Sequence, residues 1–339
     1  MSSISLKHSV RRENFVLDVD TKIPDRGVTG IFGESGSGKT TLLRCIAGLE
    51  GRTGGDITPV HRRRIGYVFQ EAQLFTHLSV RKNIEYGLKR SIGPVVSVDE
   101  VVSLLELSEL LDRSVSGLSG GEAQRVSIAR VLCQAPRLIL MDEPLSALDE
   151  RRRNDVLPYL DRLHVESSIP IIYVSHSIDE ICRLSDHLLV LDNGKIVAEG
   201  ELQTTLATTD LPQFGGKNAG AIIKAKRARY DEEFDLTHFD FSGGQIRLPG
   251  SSEVAAVRLR INASDISLTR VAPESSTILN ILAAKIVEIS AESTATDLVK
   301  LAVGNDLLLA RITRRSTHEL QLQIGDEVFA QIKSVTIRR

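Results

Sequence analysis

A glycine-rich stretch near the N-terminus constrains the fold more than any other part of the sequence. It reads GESGSGKTT, from Gly33 to Thr41, and such a composition favours neither a strand nor a helix. Residues 28–32 before it predict a short buried strand, and residues 40–49 after it place apolar side chains at helical spacing. A glycine-rich turn between a strand and a helix is typical of a phosphate-binding loop, whose backbone N–H groups surround an anion. The alternative is a flexible glycine-serine turn.

The composition fits an ordinary globular protein with about two domains. The chain has 339 residues, with Lys+Arg 42 against Asp+Glu 44, so no basic excess indicates a nucleic-acid partner. The three cysteines are widely spaced, which favours reduced, buried thiols. The N-terminus has no apolar signal-peptide core, and no apolar run approaches the ~18 residues of a membrane span.

An acidic strand end follows the phosphate loop by about a hundred residues. Residues 137–143 read RLILMDE, an apolar run that ends in Asp142 and Glu143. Next to a phosphate-binding loop, Asp142 is expected to hold Mg²⁺, and Glu143 to orient and deprotonate an attacking water. In the loop itself, Lys39 is expected to reach the phosphates and the Thr40 hydroxyl to bind Mg²⁺. Taken alone, the same acidic pair also fits a solvated strand end.

The pattern of strands and helices divides the chain. Apolar strands alternate with amphipathic helices from about residue 28 to 200, which predicts a parallel sheet covered on both faces. Asn193-Gly194 between two apolar runs predicts a hairpin. The composition changes after about residue 210, and short strands from about 254 onward favour a small barrel or sandwich. We predict an α/β domain at 1–232, a linker with the first accessory strands at 233–275, and a β domain at 276–339.

Residues 118–125, LSGGEAQR, resemble the signature motif of ATP-binding-cassette (ABC) ATPases. The family's other motifs follow in its order: the P-loop at 33–41, Gln70, the signature at 118–122, the acidic pair at 142–143, the loop 146–149 and His176. The resemblance implies an α/β P-loop NTPase domain with a helical subdomain, followed by a small OB-like all-β domain. It also implies an ATP hydrolase that acts as a head-to-tail homodimer.

The resemblance assigns roles to individual residues. It implies Glu143, His176 and Gln70 as catalytic residues and Thr40, Gln70 and Asp142 as Mg²⁺ ligands. It implies that ATP lies on Gly33, Glu34, Ser35, Gly36, Ser37, Gly38, Lys39, Thr40 and Thr41. The signature residues Ser119, Gly120, Gly121 and Glu122 of one copy would close on the ATP of the other, with Asp149 at the dimer contact. Phe15 is a candidate for stacking on adenine or for the core, and His8 or Val10 could replace it.

Two further segments resemble parts of solute importers. Residues 73–84 are similar to the segment that contacts the membrane permease. Residues 277–286, 309–313 and 329–337 are similar to the molybdate-binding Mop fold, so the C-terminal domain is expected to be Mop/TOBE-like. The resemblance implies a peripheral subunit on the cytoplasmic face of the inner membrane, which energises uptake of molybdate or tungstate with a permease and an external solute-binding protein. The alternatives are sulfate/thiosulfate or ferric iron import, and a non-transport ABC ATPase.

The C-terminal domain has two possible roles. Leu279 stands where the Mop family often has an arginine, so the oxyanion donors must come from other residues. The candidates are hydroxyl, amide and ammonium groups, since such donors hold tetrahedral anions: Ser276, Thr277, Asn280, Lys285, Thr313 and Ser316. The alternative is a domain that only stabilises the dimer.

Overall fold

The computed structural model describes residues 3–12, 15–50, 63–91, 93, 96–208 and 219–338. The chain divides after Gly200 into two compact units. In the described part of the chain, no helix is both long and apolar enough to cross a membrane.

The first unit is an α/β structure with a six-stranded sheet of order β4-β5-β6-β3-β7-β8 and a separate β1-β2 hairpin. Its strands are β1 (Ser3–Arg12), β2 (Phe15–Pro24), β3 (Val28–Phe32), β4 (Ile65–Val68), β5 (Leu138–Asp142), β6 (Ile171–Val174), β7 (His187–Asp192) and β8 (Lys195–Glu201). Its helices are α1 (Lys39–Ala47), α2 (Val80–Lys89), α3 (Val98–Leu104), α4 (Gly120–Leu132), α5 (Glu150–Glu166) and α6 (Ile178–Leu184).

The central strands of this sheet are parallel and fully buried. Every residue of β3, β5 and β6 is buried, as expected for strands covered on both faces. β4 pairs in parallel with β5, β5 with β6, and β6 with β3. Because the carboxyl ends of parallel strands meet at one sheet edge, the segments that follow these four strands lie near each other. The predicted parallel sheet is confirmed.

Side-chain caps fix where the helices begin. Ser79, Ser97, Asp149 and Ser177 each accept a hydrogen bond from a backbone N–H in the first turn of α2, α3, α5 and α6. Helices α2 and α4 approach closely at Gly87, where a Cβ would lie 2.0 Å from the carbonyl oxygen of Arg130. Glycine at this position therefore permits the close packing of the helical part of the unit.

The predicted hairpin at Asn193-Gly194 is confirmed and contacts the phosphate loop. Both residues have positive φ, 45° and 78°, as a type I′ turn requires. The Gly194 N–H donates to the carbonyl of Ser37 at 2.9 Å, and its carbonyl accepts from the N–H of Asp18 at 2.8 Å. The turn thus holds the phosphate loop through a hydrogen bond to its backbone at Ser37.

The second unit begins with helix α7 and is otherwise almost entirely β structure. Its elements are α7 (Leu202–Leu206), β9 (Gly220–Asp231), β10 (Leu236–Phe241), β11 (Gly244–Pro249), β12 (Ala256–Asn262), β13 (Ile266–Thr269), β14 (Asn280–Ala291), β15 (Thr296–Val303), β16 (Asp306–Thr313), α8 (Arg314–Glu319), β17 (Glu327–Ile332) and β18 (Thr336–Arg338). They form two five-stranded sheets, β11-β10-β9-β12-β18 and β13-β17-β14-β15-β16.

The two sheets of the second unit interleave along the chain. The early strand β13 pairs with β17, while the last strand, β18, pairs with β12 of the other sheet. One hydrophobic core contains buried side chains from both sheets, including Phe239, Leu259 and Ile286. The all-β character predicted for this region is confirmed.

The predicted domain limits differ from this division. The limit at 232 falls one residue beyond β9, which pairs with β10 and β12 of the second unit. The predicted limit between 275 and 276 separates sequence segments whose strands share sheets. The composition change near residue 210 falls at 209–218, outside the described residues.

The three cysteines are buried thiols that form no disulfide with one another. Burial raises the pKa of the Cys45 and Cys133 thiols to about 11. Thiols with such pKa values stay protonated near neutral pH and are poor nucleophiles. The predicted buried, reduced thiols are therefore confirmed.

Candidate active site

The phosphate loop joins β3 to α1 and contains backbone conformations that favour glycine. Gly36 and Gly38 have φ of 83° and 105°, in the left-handed region. Gly38 is also the N-cap of α1, whose first turn contains no acidic side chain. The positive end of the helix dipole is therefore left without a negative partner from the first turn.

Lys39 and Ser37 give this loop the properties of an anion site. The buried Lys39 ammonium donates to the carbonyls of Gly33 and Glu34, each at 2.8 Å. Burial lowers the pKa of Lys39, and the charges of Glu143 and Asp142 partly oppose this effect. The buried Ser37 hydroxyl has no hydrogen-bond partner among the described residues. A buried cation and an unpartnered donor suit the phosphates of a nucleotide.

Asp142 joins the loop to the end of β5. Its Oδ1 accepts from the Thr40 hydroxyl at 3.0 Å and its Oδ2 from the Tyr67 hydroxyl at 2.9 Å. Burial raises the pKa of Tyr67 well above its usual range, and the Asp142 charge adds to this shift. Thr40 and Asp142 thus bring a hydroxyl and a carboxylate together, which are the hard oxygen donors that Mg²⁺ prefers.

Glu143 and His176 follow β5 and β6 and lie within contact of each other. His176 Nδ1 lies 3.0 Å from Glu143 Oε2. Glu143 has a φ of 47°, a conformation that is uncommon outside glycine and recurs at functional sites. Its N–H donates to the carbonyl of Val174, and its carbonyl accepts from the Ser146 hydroxyl at 2.8 Å. These two bonds hold the Glu143 backbone at the sheet edge, where the charge of its side chain acts on Lys39 of the phosphate loop.

The exposed Gln70 lies two residues beyond the end of β4. The preceding carbonyl, that of Phe69, accepts from the buried Gln124 side chain at 3.1 Å. Since Gln124 belongs to α4, the helix that begins at the signature motif is tied directly to the loop that carries Gln70.

The signature residues form the first turn of α4. Ser119 and Glu122 make a capping box, with Glu122 Oε2 accepting from the Ser119 N–H at 2.7 Å. This bond holds the pKa of Glu122 below its usual value. A Cβ on the exposed Gly120 would lie 2.8 Å from Leu148, the residue before Asp149. The start of the signature helix is therefore close in space to the segment that leads into the predicted dimer-contact residue.

The three candidates for adenine stacking all lie in the β1-β2 hairpin. The half-buried Phe15 ring is so close to the phosphate loop that a Cβ on Gly38 would lie 2.5 Å from its Cζ. Phe15 and Val10 also pack on the core beneath the loop. Burial lowers the pKa of His8, with Arg63 adding to the shift. Adenine stacking by any of the three stays a prediction.

The segment predicted to contact a permease is a well-anchored loop. The buried Asn83 side chain accepts from the Phe75 N–H at 2.8 Å and donates to the Phe75 carbonyl at 3.1 Å. The Phe75 ring lies 4.5 Å from that of Tyr86 and 5.1 Å from the Arg130 guanidinium. Leu74, Phe75 and Leu78 are half-buried rather than fully exposed.

The six candidate oxyanion donors fall into separate places in the second unit. Ser276, Thr277 and Asn280 lie at the start of β14, and Asn280 is buried with both its amide groups bonded to the backbone of Arg247. Thr313, at the end of β16, caps α8 by accepting from the N–H of Ser316 in its first turn. The antiparallel order β14-β15-β16 puts these two groups at opposite ends of the sheet. The exposed Lys285 lies between them along β14.

Sequence reasoning missed three residues that organise the site. Tyr67 donates to Asp142, Gln124 holds the loop of Gln70, and Glu180 lies buried beside the segment of His176. Tyr67 had a usable signal, because a tyrosine near the end of a strand beside β5 can reach the acidic pair. The pairing of β4 with β5 supplies that contact, and it cannot be read from the local sequence.

The fold and the site define a P-loop ATPase of the ATP-binding-cassette class. A model of the ABC transporter family matches residues 16–146, and a TOBE domain model matches residues 276–338. The CbiO1 structure from Clostridium perfringens, part of an ABC transporter complex, is 26% identical with a TM-score of 0.53, covering 61% of this chain and 91% of that one. The dimeric structure of a bacterial ABC transporter cassette is 27% identical with a TM-score of 0.50, covering 58% and 98%.

Curated relatives match almost the whole chain. The molybdenum import ATP-binding protein ModC of Methylococcus capsulatus is 47% identical over 99% of both chains. That of Thiobacillus denitrificans is 50% identical over 95% of this chain and 94% of its own. The chain therefore belongs to the family of molybdenum import ATP-binding proteins, within the ABC transporters.

Proposed function

We propose that this chain is the ATP-hydrolysing subunit of an ABC importer that takes up molybdate. The observation that carries the proposal is the assembly of Lys39, Thr40, Asp142, Glu143 and His176 at one sheet edge, in a chain whose full-length relatives are molybdenum import ATP-binding proteins. The assembly of these five residues supports ATP hydrolysis, and the names of the relatives support its coupling to molybdate transport.

The loop residues 33–41 are proposed to hold the phosphates of ATP. Lys39 supplies a positive charge, and in the structure its ammonium donates hydrogen bonds to the carbonyls of Gly33 and Glu34. Phosphate oxygens are stronger acceptors than carbonyls, so Lys39 would exchange these bonds for bonds to ATP. The Ser37 hydroxyl and the N-terminus of α1 would add neutral donors.

Thr40 and Asp142 are proposed as the residues that hold Mg²⁺, with Gln70 as a third oxygen donor. The first two are already within hydrogen-bond distance of each other, and Tyr67 orients the Asp142 carboxylate. Bound Mg²⁺ would neutralise charge on the phosphates. Gln70 is exposed on the loop that follows β4, which Gln124 holds.

Glu143 is proposed as the general base. It would take a proton from a water whose oxygen forms a bond to the γ-phosphorus, while the bond to the β–γ bridging oxygen breaks and ADP leaves. His176, within 3.0 Å of Glu143, would orient this carboxylate and contact the γ-phosphate. The strained backbone of Glu143 is consistent with a carboxylate held in position for one purpose.

Two copies are proposed to act together, as cassettes do in the dimeric structural neighbour. Ser119, Gly120, Gly121 and Glu122 would contact the ATP of the other copy, with Asp149 at the dimer contact. The support is geometric, since Ser119 and Gly120 are exposed at the N-terminus of α4 and Gly120 lies next to Leu148, the residue before Asp149. Helix α4 is also long enough to present a dipole. ATP between two such surfaces would hold them together until hydrolysis releases them.

The partners proposed for the dimer are a membrane permease and an external solute-binding protein, with the chain peripheral on the cytoplasmic face of the inner membrane. The loop 73–80, anchored by Asn83, is the proposed permease contact. Its half-buried apolar side chains offer a firm surface to a partner helix.

Transport of molybdate is tested by uptake in cells from which the gene for this chain has been deleted. Plasmid-borne wild-type chain should restore uptake of labelled molybdate, and Glu143→Gln should not, although both are produced. Uptake of sulfate and ferric iron measured in the same cells serves as the control. Restoration of either of these instead of molybdate would favour the alternative importers, and no uptake defect would favour a non-transport ATPase.

For the second unit we propose oxyanion binding as feedback control, with dimer support as the alternative. Since the candidate donors form groups at opposite ends of one sheet, a site that used both groups would need a second copy. Calorimetric titration of the purified chain should show binding of molybdate and tungstate but not of sulfate or phosphate. Lys285→Met should weaken this binding, because Lys285 carries the positive charge among the six donors. If none of these oxyanions produced a heat change, the second unit would be assigned the role of supporting the dimer.

A further inference from the structure

Glu180 is a buried carboxylate that none of the motifs explains. It lies in the first turn of α6 and is 4% exposed. Burying a carboxylate is costly unless it is paired and hydrogen-bonded. Asp142, the other buried carboxylate described in the first unit, has a role at the phosphate loop. The described hydrogen-bond and ion-pair partners of Glu180 belong to other segments, so its burial needs a separate reason.

The Glu180 carboxylate is hydrogen-bonded to two residues that precede His176, and through one of them to the residue that follows it. Its Oε2 accepts from the Tyr173 hydroxyl and from the Ser175 hydroxyl, each at 2.8 Å. The same Ser175 oxygen accepts from the N–H of Ser177 at 3.0 Å. The residues directly before and after His176 are therefore fixed by a chain of hydrogen bonds that ends on one carboxylate oxygen.

The second oxygen of Glu180 faces another helix. Glu180 Oε1 lies 3.4 Å from Arg153 Nε, in the first turn of α5. That helix begins at Asp149, whose side chain caps it by accepting from the Arg152 N–H at 2.9 Å. One buried carboxylate thus connects the His176 segment with the helix that starts at the proposed dimer contact.

His176 is a loop residue with a largely exposed side chain. Its side chain is 58% exposed, and it contacts Glu143 at 3.0 Å. An exposed imidazole on a loop samples several rotamers unless its backbone is held. The hydrogen bonds to Glu180 supply that restraint through the backbone on either side.

We propose that Glu180 is a positioning residue for ATP hydrolysis, which holds His176 in line with Glu143 and ties it to the start of α5. The inference rests on the proposed function, since it acts through His176. Its effect is on the chemical step, because its polar partners among the described residues are Tyr173, Ser175 and Arg153, all outside the nucleotide loop. A residue that only stabilised the fold would change the melting temperature without separating kcat from KM.

The test compares Glu180→Gln with a control from the same helix, in the full chain with ATP and Mg²⁺. Glutamine keeps the shape but loses the charge opposite Arg153 and puts an N–H₂ group toward one of its donors. We expect kcat to fall about tenfold, because a small misplacement of a catalytic group slows the chemical step. The KM for ATP should change less than about twofold. Ile181→Val removes a buried methyl group from α6 outside the network and should lower the melting temperature while leaving kcat unchanged.

A double-variant cycle separates positioning from general damage. If Glu180 acts through His176, Glu180→Gln should change the residual rate of His176→Ala by less than about twofold. An equal loss in both backgrounds, or an unchanged kcat in Glu180→Gln, would overturn the inference. Should Glu180→Gln fail to fold, Ser175→Ala and Tyr173→Phe each remove one donor, and each should lower kcat in the same His176-dependent way. Full activity of His176→Ala would overturn the proposed role of His176 instead.

Discussion

Replacing Glu143 by glutamine should stop most ATP turnover while ATP binding survives. Glutamine has the same shape but cannot take the proton of the attacking water, and general-base contributions are typically about 10²–10⁴-fold. The phosphate loop is unchanged, since Lys39 binds Gly33 and Glu34 rather than Glu143. We therefore expect kcat to fall by at least about 10²-fold with ATP affinity within about threefold of the wild type.

The assignment of Glu143 is checked by measuring phosphate release and ATP binding on the same preparations. Glu150→Gln is a matched control, because Glu150 is an exposed glutamate in the first turn of α5 and should leave both quantities unchanged. ATP should also accumulate bound to Glu143→Gln, and the sedimentation of that variant with ATP should show dimers. A Glu143→Gln chain that hydrolyses ATP at the normal rate would exclude Glu143 as the base.

The parts of the site that sequence predicted well are those encoded within a few neighbouring residues. The strand, glycine-rich loop and helix of residues 28–49 are contiguous in the sequence. The hairpin turn depends on two adjacent residues, Asn193 and Gly194, which are of types that adopt the positive φ found there. Neither needs a partner from elsewhere in the chain to be identified. The contact between Tyr67 and Asp142 needs the pairing of β4 with β5, and the support of Ser37 by Gly194 needs the packing of the hairpin on the loop.

The strands of the second unit were harder to predict because buried and exposed residues do not alternate regularly along them. In β9 the buried residues 220–223 follow one another without a break. The exposed residues that come after them include Lys224, Lys226 and Arg227. The simple alternation that marks a half-buried strand is therefore missing. The interleaving of β13 with β17 and of β18 with β12 depends on contacts between distant segments, so linear limits could not describe it.

Replacing Lys39 by alanine should abolish tight ATP binding and hydrolysis while the chain still folds. Lys39 is the buried cation of the loop, and loss of one preorganised donor to a charged transition state typically costs about 10²–10³-fold in rate. ATP affinity should fall as well, since the ammonium contacts phosphate in the ground state too. Lys89→Ala, which removes an exposed lysine at the end of α2, is the matched control and should bind ATP normally.

The pKa of Lys39 adds a second readout that a folding defect would not produce. Burial lowers this pKa below its ordinary value of 10.5, so the ammonium loses its proton earlier than a free lysine would. The charged form binds phosphate, and the ATP affinity of the wild type should therefore begin to fall at a pH below 10.5, with Lys39→Ala showing no such decline. Calorimetric titration with ATP across this range, with the melting temperature measured at each pH, separates loss of charge from loss of fold. An affinity of Lys39→Ala equal to that of the wild type would mean that the backbone amides and the helix dipole bind the phosphates without the lysine.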